Sequence, residues 1–506
     1  MLFPQRFPIS YLFSFPSIAF LFSSLILLLL FRALWQAYSP KRTVAPGPFF
    51  AKFSRLWFLR QVLQGEFEKV NIELHCKYGP VVRIAPNEYS ISDPEAIKTI
   101  FGHGTQFMKA PSYKAAGDPY FPNLFTELDP PTHATLRRKF APLYSMSSIV
   151  SMEPCVQKCT AVLTERLREF AQSGAAFNLQ EWLQFYAFDL IGLLAVSESF
   201  GFLDDGKDPR GILIELDAFI KYSARVGIYH EIHTPLYKLM QTLGKGGAYI
   251  YTFTWAQIAK RLPGSATEEK GVKLEDSILA RALEKHKEDP ETFKISDVYQ
   301  VCLASIGAGS DTTSISLCAI FWYLLKTPRA LAKLKEEVDE MTTSGKISHP
   351  VTFLDAQAMP YMQAVIKEAI RLHSATGLPL GRVVPKGGAK VAGKYFTEGS
   401  VVGINTWVAH YNTDMFGDDA ATFRPERWLE DKEKAQVMER YYIAFGHGSR
   451  TCVGKNISLM EISVLVPNLI RRFEFELVRP EDGLECYSNW FVKHQNVLCR
   501  VSERKV

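Results

Sequence analysis

The stretch FGHGSRTCVG, residues 445–454, decides the fold, because it fits the pattern F-x-x-G-x-R-x-C-x-G at every specified position. Gly448 and Gly454 allow tight turns and a close approach of the backbone. An apolar helical pattern follows at residues 457–470, and the amides and positive dipole end of such a helix favour a thiolate at Cys452. Arg450 offers a planar, forked cation to a carboxylate, and Phe445 can keep water from the sulfur. These features predict a metal-ligating thiolate and not an inert, buried cysteine.

The pattern around Cys452 resembles the haem-binding signature of the cytochrome P450 family, and the resemblance extends from the N-terminal segment to residue 480. It implies a mainly α-helical fold, a helical prism with small β-sheets, in which haem b lies between a long central helix and the helix after Cys452. It implies that Cys452 is the protein ligand of the iron and that Phe445 and Arg450 contact the cofactor. The implied activity is a haem-dependent monooxygenase, which inserts one oxygen atom from O2 into a lipophilic small molecule. A thiolate ligand favours cleavage of the O–O bond.

A run of about thirty residues, from an expected N-cap at Ser296 to Pro328, predicts one long central helix. Its middle reads GAGSDTT, residues 307–313, in which two glycines weaken the helix and a threonine hydroxyl can compete for a backbone carbonyl. The sequence therefore predicts a local opening of the helix that holds water and dioxygen over a flat cofactor. The string resembles the oxygen-activation motif of the P450 family. That resemblance assigns Asp311 and Thr312 to proton delivery, which needs a positioned donor.

Glu368 and Arg371 lie three residues apart, on one face of a helical pattern at residues 362–373. The stretch FRPERW, residues 423–428, follows them, and together they resemble the Glu-Arg-Arg triad of the P450 family, with Arg427 as the third member. The planar fork of an arginine can bind a carboxylate and backbone carbonyls at the same time. The resemblance therefore implies a structural role, in which the triad fixes the chain segment beneath the haem.

His133 and Arg137 are spaced four residues apart on a helix expected after Pro130 and Pro131. The P450 family often has Trp-x-x-x-Arg here, so His133 departs from the commonest form, although a ring N–H still serves as a donor. Arg382, in LGRVVP at residues 380–385, resembles a further partner of the haem propionates. The resemblance thus implies that all three side chains bind the cofactor.

Residues 7–31 contain no charged side chain, and as a helix they would span roughly 37 Å at about 1.5 Å per residue, more than the ~30 Å bilayer core. Basic residues dominate the chain just after them, so the positive-inside rule puts the body in the cytosol. A cleaved signal peptide is the alternative, but the run is long for one and no A-x-A-like site follows. We therefore expect a single-pass anchor in the endoplasmic reticulum membrane at residues 1–38. A proline-rich hinge and the start of the body follow at residues 39–64, and the catalytic domain occupies residues 65–506.

The composition excludes several other classes of protein. A net charge of +5 over 506 residues is too small to indicate a nucleic-acid partner. The eight cysteines form no C-x-x-C pair, so the sequence offers neither a zinc ribbon nor a redox motif, and it indicates reduced thiols. Strand patterns appear near residues 81–84, 89–91 and 383–406, and a polar linker at residues 262–273, in an otherwise helical chain.

The resemblance also implies the partners. Electrons are expected from a separate NADPH–cytochrome P450 reductase, whose FAD and FMN carry them. Residues 110–128, the surroundings of Ile306 and residues 375–378 are expected to line the substrate pocket, with Tyr113, Phe121 and Phe125 as walls. The stretch GLPLGRVVP, residues 377–385, is similar to fungal P450s of the pisatin demethylase type. That similarity implies a lipophilic aromatic, terpenoid or alkaloid substrate in secondary metabolism.

Three other functions stand beside this expectation. An isomerase or dehydratase of the same fold would not need Asp311 and Thr312. A haem sensor or carrier would need neither the threonine pair nor an anchor on the reductase's membrane. A cysteine hydrolase with Cys452 as nucleophile has His447 near in sequence, but no second orienting residue is evident.

Overall fold

The computed structural model describes residues 15–38, 45–243, 249–262 and 276–505. The first fourteen residues of the expected anchor, residues 39–44 of the expected hinge and most of the expected polar linker lie outside the described residues. Within the described residues, no helix combines the length and the apolar character that a membrane span requires. The expected anchor therefore stays a prediction.

The described chain is mainly helical, as predicted. Its α-helices are α1 (Phe15–Tyr38), α2 (Leu56–Gln64), α3 (Phe67–Tyr78), α4 (Glu95–Phe101), α5 (Pro130–Phe140), α6 (Met146–Val150), α7 (Glu153–Ser173), α8 (Leu179–Val196), α9 (Phe202–Asp205), α10 (Ile212–Ile228), α11 (His233–Thr242), α12 (Tyr249–Ala259), α13 (Ile278–Glu288), α14 (Ile295–Lys326), α15 (Pro328–Thr343), α16 (Phe353–Gln357), α17 (Pro360–Leu372), α18 (Thr406–His410), α19 (Thr413–Phe416), α20 (Lys432–Tyr441) and α21 (Lys455–Arg472).

Short strands form small sheets beside the helices. They are β1 (Val81–Ala85), β2 (Glu88–Ile91), β3 (Met108–Lys109), β4 (Phe177–Asn178), β5 (Leu380–Val383), β6 (Ala389–Val391), β7 (Lys394–Phe396), β8 (Val401–Ile404), β9 (Phe473–Leu477), β10 (Cys486–Ser488), β11 (Val492–His494) and β12 (Leu498–Glu503). The largest sheet has the order β1-β2-β8-β5-β3, with β2 and β8 parallel and the other neighbours antiparallel. A second sheet has the order β4-β12-β9, and β6–β7 and β10–β11 are hairpins. The strands predicted near residues 81–91 and 383–406 correspond to β1, β2, β6, β7 and β8, whereas β3, β4, most of β5 and the strands near the C-terminus were not predicted.

The long helix α14 is the predicted central helix, with a corrected start. It begins at Ile295, so Ser296 lies inside its first turn and is not the N-cap. The carboxylate of Asp297 accepts the amide of Lys294 (2.7 Å) and the ammonium of Lys139 (2.7 Å), and it satisfies the first turn in place of a serine cap. The helix ends at Lys326, just before the proline that starts α15.

The core lies around α14, which packs against α8, α17 and α21. Ile306 and Leu317 of α14 share one apolar cluster with Leu194 of α8 and Leu465 of α21, and all four are buried. Burying side chains of this size stabilises the fold by roughly 1.5–3 kcal/mol each. Because α14 is enclosed by packed helices, any part of its surface left uncovered has a fixed position in the molecule.

Candidate active site

The loop before α21 holds Cys452 in a closed turn. The amide of Cys452 donates to the carbonyl of Phe445 (2.8 Å), and the hydroxyl of Thr451 donates to the carbonyl of Gly448 (2.8 Å). Gly448 has a φ of +64°, and a Cβ there would lie 1.9 Å from the carbonyl oxygen of Phe101. Only glycine satisfies both conditions, so the glycine fixes the loop against the body of the protein.

Cys452 is accessible to solvent although many protein atoms surround it, so its accessible surface lies in a recess of the protein, which we call the cavity. Burial raises the pKa of the thiol, while the amides of Gly454 and Lys455 and the guanidinium of Arg137 act in the opposite direction. A bound metal ion would remove the thiol proton outright. The sulfur is thus placed to take a ligand from the cavity and is not packed as a core side chain.

A stripe of small side chains on α14 is left uncovered by the neighbouring helices. Ala304 and Thr312 are half-buried and Ala308 is exposed, and these three residues recur every four positions on one face. The hydroxyl of Thr312 donates to the carbonyl of Ala308 (2.9 Å). The helix is continuous through Gly307 and Gly309, so the predicted local opening is absent from it. The free space comes from small side chains instead, because a threonine hydroxyl can bond the preceding turn without breaking the helix.

Hydrogen bonds join the central helix to the helix that carries the cysteine loop. The hydroxyl of Thr313 donates to the hydroxyl of Ser458 on α21 (3.1 Å). The hydroxyls of Tyr144 and Ser305 are 2.6 Å apart, and the side-chain amide of Asn456 on α21 donates to the carbonyl of Tyr144 (3.1 Å). These contacts fix the position of α14 relative to the cysteine loop.

Asp311 lies beside Thr312 in sequence but on a buried part of α14. Its Oδ1 accepts a hydrogen bond from Nε2 of Gln184 on α8 (2.7 Å), and its Oδ2 lies 2.8 Å from Nζ of Lys493 on β11. Among the described residues, no hydrogen bond joins the side chains of Asp311 and Thr312. The two predicted residues are therefore neighbours on α14, but their side chains have different hydrogen-bond partners.

Predicted cofactor residues lie together with one cation that the sequence did not single out. Arg382 on β5 stands directly opposite Lys109 on β3 in the register of the sheet. Like charges at such positions destabilise a sheet. Burial, and then the neighbouring Arg450 and Arg382, lower the pKa of Lys109 to about 6. Burial, Arg382 and Arg137 likewise lower the pKa of Arg450. We call Lys109, Arg137, Arg382 and Arg450 the cation cluster.

The cation cluster is held by neutral groups. Nη1 of Arg137 donates to the carbonyl of Thr451 (2.7 Å) in the cysteine loop, and Nη1 of Arg382 donates to the hydroxyl of Tyr113 (3.2 Å). Nζ of Lys109 donates to two backbone carbonyls (2.9 and 2.6 Å). Within the described ranges, Nη1 of Arg450 is buried without a hydrogen-bond partner, and no member of the cluster pairs with a carboxylate.

His133 completes the surroundings of the cation cluster. It is buried, and burial together with Lys109 and Arg450 lowers its pKa to about 3, so the imidazole is neutral. Several uncompensated cations and one orphaned guanidinium nitrogen, joined to the cysteine loop through Arg137, form an anion site. Haem carries two propionate carboxylates and an iron that can bind a thiolate. The donor set around Cys452 fits both groups.

Glu368, Arg371 and Arg427 form one buried network. Arg371 donates to both carboxylate oxygens of Glu368 (2.9 and 2.8 Å), and Nε of Arg427 donates to Oε1 (2.8 Å). The indole of Trp428 donates to Oε2 (2.9 Å), and the remaining arm of Arg371 donates to the carbonyl of His410 (2.6 Å). Each charge in the network therefore has partners within the polypeptide, as a buried ion pair requires.

His410 connects this network to the cysteine loop. Its Nε2 accepts the amide of Ile443 (3.0 Å), two residues before Phe445. Burial, and then the adjacent Arg371, lower the pKa of His410 to about 3, so the ring stays neutral and available as an acceptor. The network thereby constrains the start of the loop that presents Cys452.

The expected walls of the pocket are only partly brought together. The rings of Tyr113, Phe125 and Trp490 form a triangle with centroid distances of 5.2, 5.5 and 5.8 Å. Such contacts favour edge-to-face packing of flat apolar groups. Phe121 is not part of the triangle, and 47% of its surface is exposed. Trp490 is an addition that the sequence did not indicate.

Two lysines near the site escaped the sequence reasoning, namely Lys109 and Lys493. A single lysine in a two- or three-residue strand looks like an ordinary solvated residue. The role of Lys109 depends on the register of β3 with β5, and the role of Lys493 depends on the packing of β11 against α14. No local sequence motif indicates either contact. An alternating pattern around Lys109 or Lys493 would have been the only sequence signal, and both strands are too short to show one.

Comparison with known proteins agrees with this geometry along nearly the whole chain. The cytochrome P450 family model matches residues 46–498. Pisatin demethylase of Fusarium vanettenii is 37% identical over 479 residues, which cover 92% of this chain and 91% of that protein. Cytochrome P450 monooxygenase gsfF of Penicillium aethiopicum is 35% identical over 471 residues, covering 91% and 93%. Cytochrome P450 monooxygenase cicH of Emericella nidulans is 35% identical over 470 residues, covering 91% and 93%. The chain therefore belongs to the cytochrome P450 family: it has the P450 fold, haem b is its cofactor, and it is a haem-dependent monooxygenase.

Proposed function

We propose that this monooxygenase holds haem b between Cys452 and the cation cluster and that it oxidises a lipophilic aromatic molecule of fungal secondary metabolism. The observation that carries the proposal is the cation cluster, in which Lys109 and Arg382 are buried and Arg137 and Arg450 are half-buried, and which has no carboxylate partner among the described residues. The bond from Arg137 to Thr451 joins this cluster to the cysteine loop. Haem supplies the activation of O2 when it is bound. The residues of the chain supply binding, orientation and protons.

On the cofactor's ligand side, Cys452 is proposed to bind as a thiolate. The first amides of α21 and the guanidinium of Arg137 favour the charged sulfur against the effect of burial. Phe445 is half-buried and packs against the main core, and we assign it to excluding water from the sulfur. The Glu368 network has no chemical step in this proposal, and its role is to keep the segment before Phe445 in place.

At the edge of the cofactor, Arg382, Arg450, Arg137 and Lys109 are proposed to bind the propionates, with His133 as a neutral donor. Bonds between arginine and carboxylate are stronger than neutral hydrogen bonds and fix orientation as well. Each propionate would also relieve the repulsion between Arg382 and Lys109 on neighbouring strands. Binding of the cofactor is therefore expected to stabilise the pairing of β3 with β5.

On the substrate side, the hydroxyl of Thr312, which donates to the carbonyl of Ala308 in the structure, is proposed to turn away from that carbonyl, to donate a hydrogen bond into the cavity and to pass protons during oxygen activation. Asp311, the next acid along the helix, is proposed to supply those protons. The stripe of Ala304, Ala308 and Thr312 leaves room for oxygen and for a substrate against α14. Overall, one oxygen atom enters the substrate and the other leaves as water, at the expense of NADPH, O2 and one proton.

For the substrate, we propose a flat, lipophilic aromatic molecule. The triangle of Tyr113, Phe125 and Trp490 offers ring faces and edges to such a molecule. Two relatives are named pisatin demethylases, and an aromatic methyl ether is therefore a reasonable first probe. Removal of the methyl group follows from oxygen insertion into its C–H bond, because the product loses formaldehyde.

We further propose that residues 1–38 anchor the chain in the endoplasmic reticulum membrane, with the body in the cytosol, and that a membrane-bound NADPH–cytochrome P450 reductase supplies the electrons. Supporting this, the side chains of Phe20, Leu27 and Trp35 on α1 are largely exposed, as they would be in a lipid-facing helix. The guanidinium of Arg83 donates to the carbonyl of Gln36 (2.6 Å), which attaches the end of α1 to the body.

Deletion of residues 1–38 is expected to move the protein from the membrane pellet to the supernatant, with haem still bound. A truncated protein that stays in the pellet contradicts the single-anchor proposal.

The proposal for the site is tested by replacing Cys452. Carbon monoxide bound to the reduced wild type is expected to give the strongly red-shifted Soret band of thiolate ligation, and Cys452→Ala is expected to lose both this band and the oxidation of anisole by NADPH and reductase. Cys76→Ala is the matched control, because Cys76 is an exposed free thiol on α3. A Cys452→Ala protein that keeps the red-shifted band refutes the ligand assignment.

A further inference from the structure

Asp311 is a buried carboxylate with a counter-ion that comes from a distant part of the chain. Only 1% of its surface is exposed, and Nζ of Lys493 on β11 lies 2.8 Å from its Oδ2. In the part of the chain that the structure describes, Oδ2 accepts no hydrogen bond of regular geometry, so charge and not a directed bond holds this pair together. Oδ1, in contrast, is fixed by Gln184 at 2.7 Å. The carboxylate thus has one anchored oxygen and one oxygen that can still take a proton.

Lys493 lies between two carboxylates. Its Nζ is 3.8 Å from Oδ1 of Asp217 on α10 and 2.8 Å from Oδ2 of Asp311. The side chain of Asp217 is 34% exposed, whereas that of Asp311 is 1% exposed, and Lys493 is intermediate at 19%. Asp217 is also paired with Lys221 one turn further along α10 (2.6 Å). The three groups therefore form a series from the partly exposed Asp217, through Lys493, to the buried Asp311 on α14.

The surroundings keep Lys493 in this position. Tyr487 stands opposite Lys493 in the β10–β11 hairpin, and the ammonium of Lys221 lies 5.5 Å from the Tyr487 ring centroid. Val492 and His494, the neighbours of Lys493 in β11, are buried on the other face of the strand. Because side chains alternate between the two faces of the strand, the aliphatic part of Lys493 is directed toward α10 and α14. Its flexible ammonium end can pair with either carboxylate.

We propose that Lys493 is a positioning residue for Asp311: it holds the Asp311 carboxylate in place between turnovers, and it moves to Asp217 when Asp311 takes up a proton from solvent. The proposal rests on the proposed function, in which Asp311 supplies protons for oxygen activation. The step balances as a transfer from hydronium to the Asp311 carboxylate, which gives a neutral carboxylic acid and water. The ammonium keeps its charge throughout and only changes partner. An ammonium close to two carboxylates loses little attraction in such a move, because the second carboxylate replaces the first.

A lysine that acts in this way affects proton delivery without touching substrate or cofactor. Without Lys493, the buried Asp311 would lose its counter-charge, and its second carboxylate oxygen would no longer be held in one orientation. When protons arrive too slowly, O2 leaves as hydrogen peroxide after receiving two electrons and two protons, and NADPH is consumed without oxygenated product. The ratio of hydrogen peroxide released to NADPH consumed therefore reports proton delivery even for an inefficient substrate.

The test uses the full-length, haem-loaded protein with reductase, NADPH and anisole as the probe. For Lys493→Met we expect the product formed per NADPH to fall on the order of tenfold, as for loss of a positioned acid–base group's partner. Peroxide per NADPH should rise toward one, and the solvent deuterium isotope effect on NADPH-driven product formation should change. Lys493→Arg should restore most of the coupling, because it keeps the cation. Asp217→Asn should raise the peroxide ratio less, because Lys493 then keeps Asp311 as its only partner.

The control is Lys69→Met, which removes the lysine of an exposed pair with Glu66 on α3 and should leave the peroxide ratio unchanged. A wild-type ratio in Lys493→Met overturns the proposal. So does a raised ratio that Lys493→Arg fails to restore, since the effect would then be one of packing. An unchanged ratio of peroxide to NADPH in Asp217→Asn would rule out the movement of Lys493 from Asp311 to Asp217. If the wild type itself neither consumes NADPH with reductase nor shows the red-shifted carbon monoxide band, the proposed function fails first, and the two failures are thereby distinguished.

Discussion

Two buried groups of charges in this molecule have opposite designs. In the Glu368 network, one carboxylate accepts from Arg371, Arg427 and Trp428, and the side chains of Glu368 and Arg371 are fully buried. In the cation cluster, Lys109 and Arg382 are each 5% exposed and face each other across a sheet without a carboxylate partner among the described residues. The first group is complete in the polypeptide. The second is completed by a ligand, and this difference separates a structural element from a binding site.

The comparison has a physical basis in the desolvation of charges. A buried ion pair is tolerated when its hydrogen bonds are complete, and removal of one partner leaves a buried charge. A buried set of like charges is unfavourable until an anion arrives, so part of the binding free energy of that anion is relief of the repulsion. The same kind of substitution should therefore have opposite effects on the stability of the haem-free chain in the two groups.

Removing the charge of Glu368 should have the largest effect. Glu368→Gln keeps the shape of the side chain but leaves Arg371 and Arg427 buried without their carboxylate, which is expected to destabilise the fold by about 3–5 kcal/mol. Most domains are stable by only about 5–15 kcal/mol. We expect little folded protein at growth temperature and a strongly lowered thermal midpoint, measured by circular dichroism.

The matched control for this variant is Glu439→Gln, which breaks the exposed pair between Glu439 and Lys367. Pairs of that kind contribute about 0–1 kcal/mol, so its thermal midpoint should stay near that of the wild type. Equal midpoints for Glu368→Gln and Glu439→Gln would remove the distinction between a complete buried network and a surface pair.

Removing a member of the cation cluster should have an intermediate effect, and on a different quantity. Arg450→Met deletes a guanidinium whose Nη1 is orphaned, so the stability of the haem-free chain should be unchanged or higher. Haem affinity should fall by about 1.5–3 kcal/mol, or about tenfold to a hundredfold, because hydrogen bonds to a charged group are lost. Haem transfer to apomyoglobin measures the affinity, and chemical unfolding of the haem-free chain measures the stability.

Arg479→Met serves as the control for Arg450→Met, because Arg479 is exposed at a distance from the site and pairs only weakly with Asp482 (3.8 Å). It should change neither quantity. A loss of haem-free stability in Arg450→Met as large as the loss of affinity would mean that this arginine belongs to the fold and not to a binding site.

The two groups also differ in how far the sequence could predict them. The Glu-Arg-Arg triad and the cysteine loop were found because each depends on residue types at fixed spacing, and the structure brings Glu368, Arg371 and Arg427 within hydrogen-bond distance. Lys109 could not be found, since its role follows from the register of β3 against β5. The partners His410 and Trp428 also escaped, although Trp428 is the residue after Arg427. Local patterns predict what lies within one helix or loop, whereas contacts between elements depend on packing.

The same limit explains the errors on the central helix. Glycines at 307 and 309 lower helix propensity, and an opening was therefore predicted. In the structure, α14 is enclosed by α8, α17 and α21, and this packing keeps it continuous. Tertiary contacts outweigh a penalty of about 1 kcal/mol per glycine. The misplaced N-cap at Ser296 has a similar cause, because Asp297 accepts the amide of Lys294 instead.

The smallest effect expected is a dependence of haem affinity on pH, and it tests whether the cluster is incomplete without its ligand. In the haem-free chain, burial and neighbouring cations hold the pKa of Lys109 at about 6, against 10.5 for a free lysine. Below pH 6, Lys109 is charged in both the folded and the unfolded chain, and its full penalty is present. Between pH 6 and 10.5, the folded chain binds fewer protons than the unfolded chain, so stability rises with pH by at most about 1.4 kcal/mol per unit. Haem propionates favour the protonated lysine, so binding above pH 6 takes up a proton and affinity falls as pH rises.

Lys109→Met should abolish its share of both slopes, and the difference between wild type and variant isolates it from other titrating groups, such as Glu461, whose pKa is raised to about 8 by burial. Haem transfer rates at pH 6, 7 and 8, chosen to cover the window above the pKa of about 6, measure that difference. Identical pH dependences in the two proteins would mean that Lys109 does not face the propionates, and the cluster would then consist of the three arginines alone.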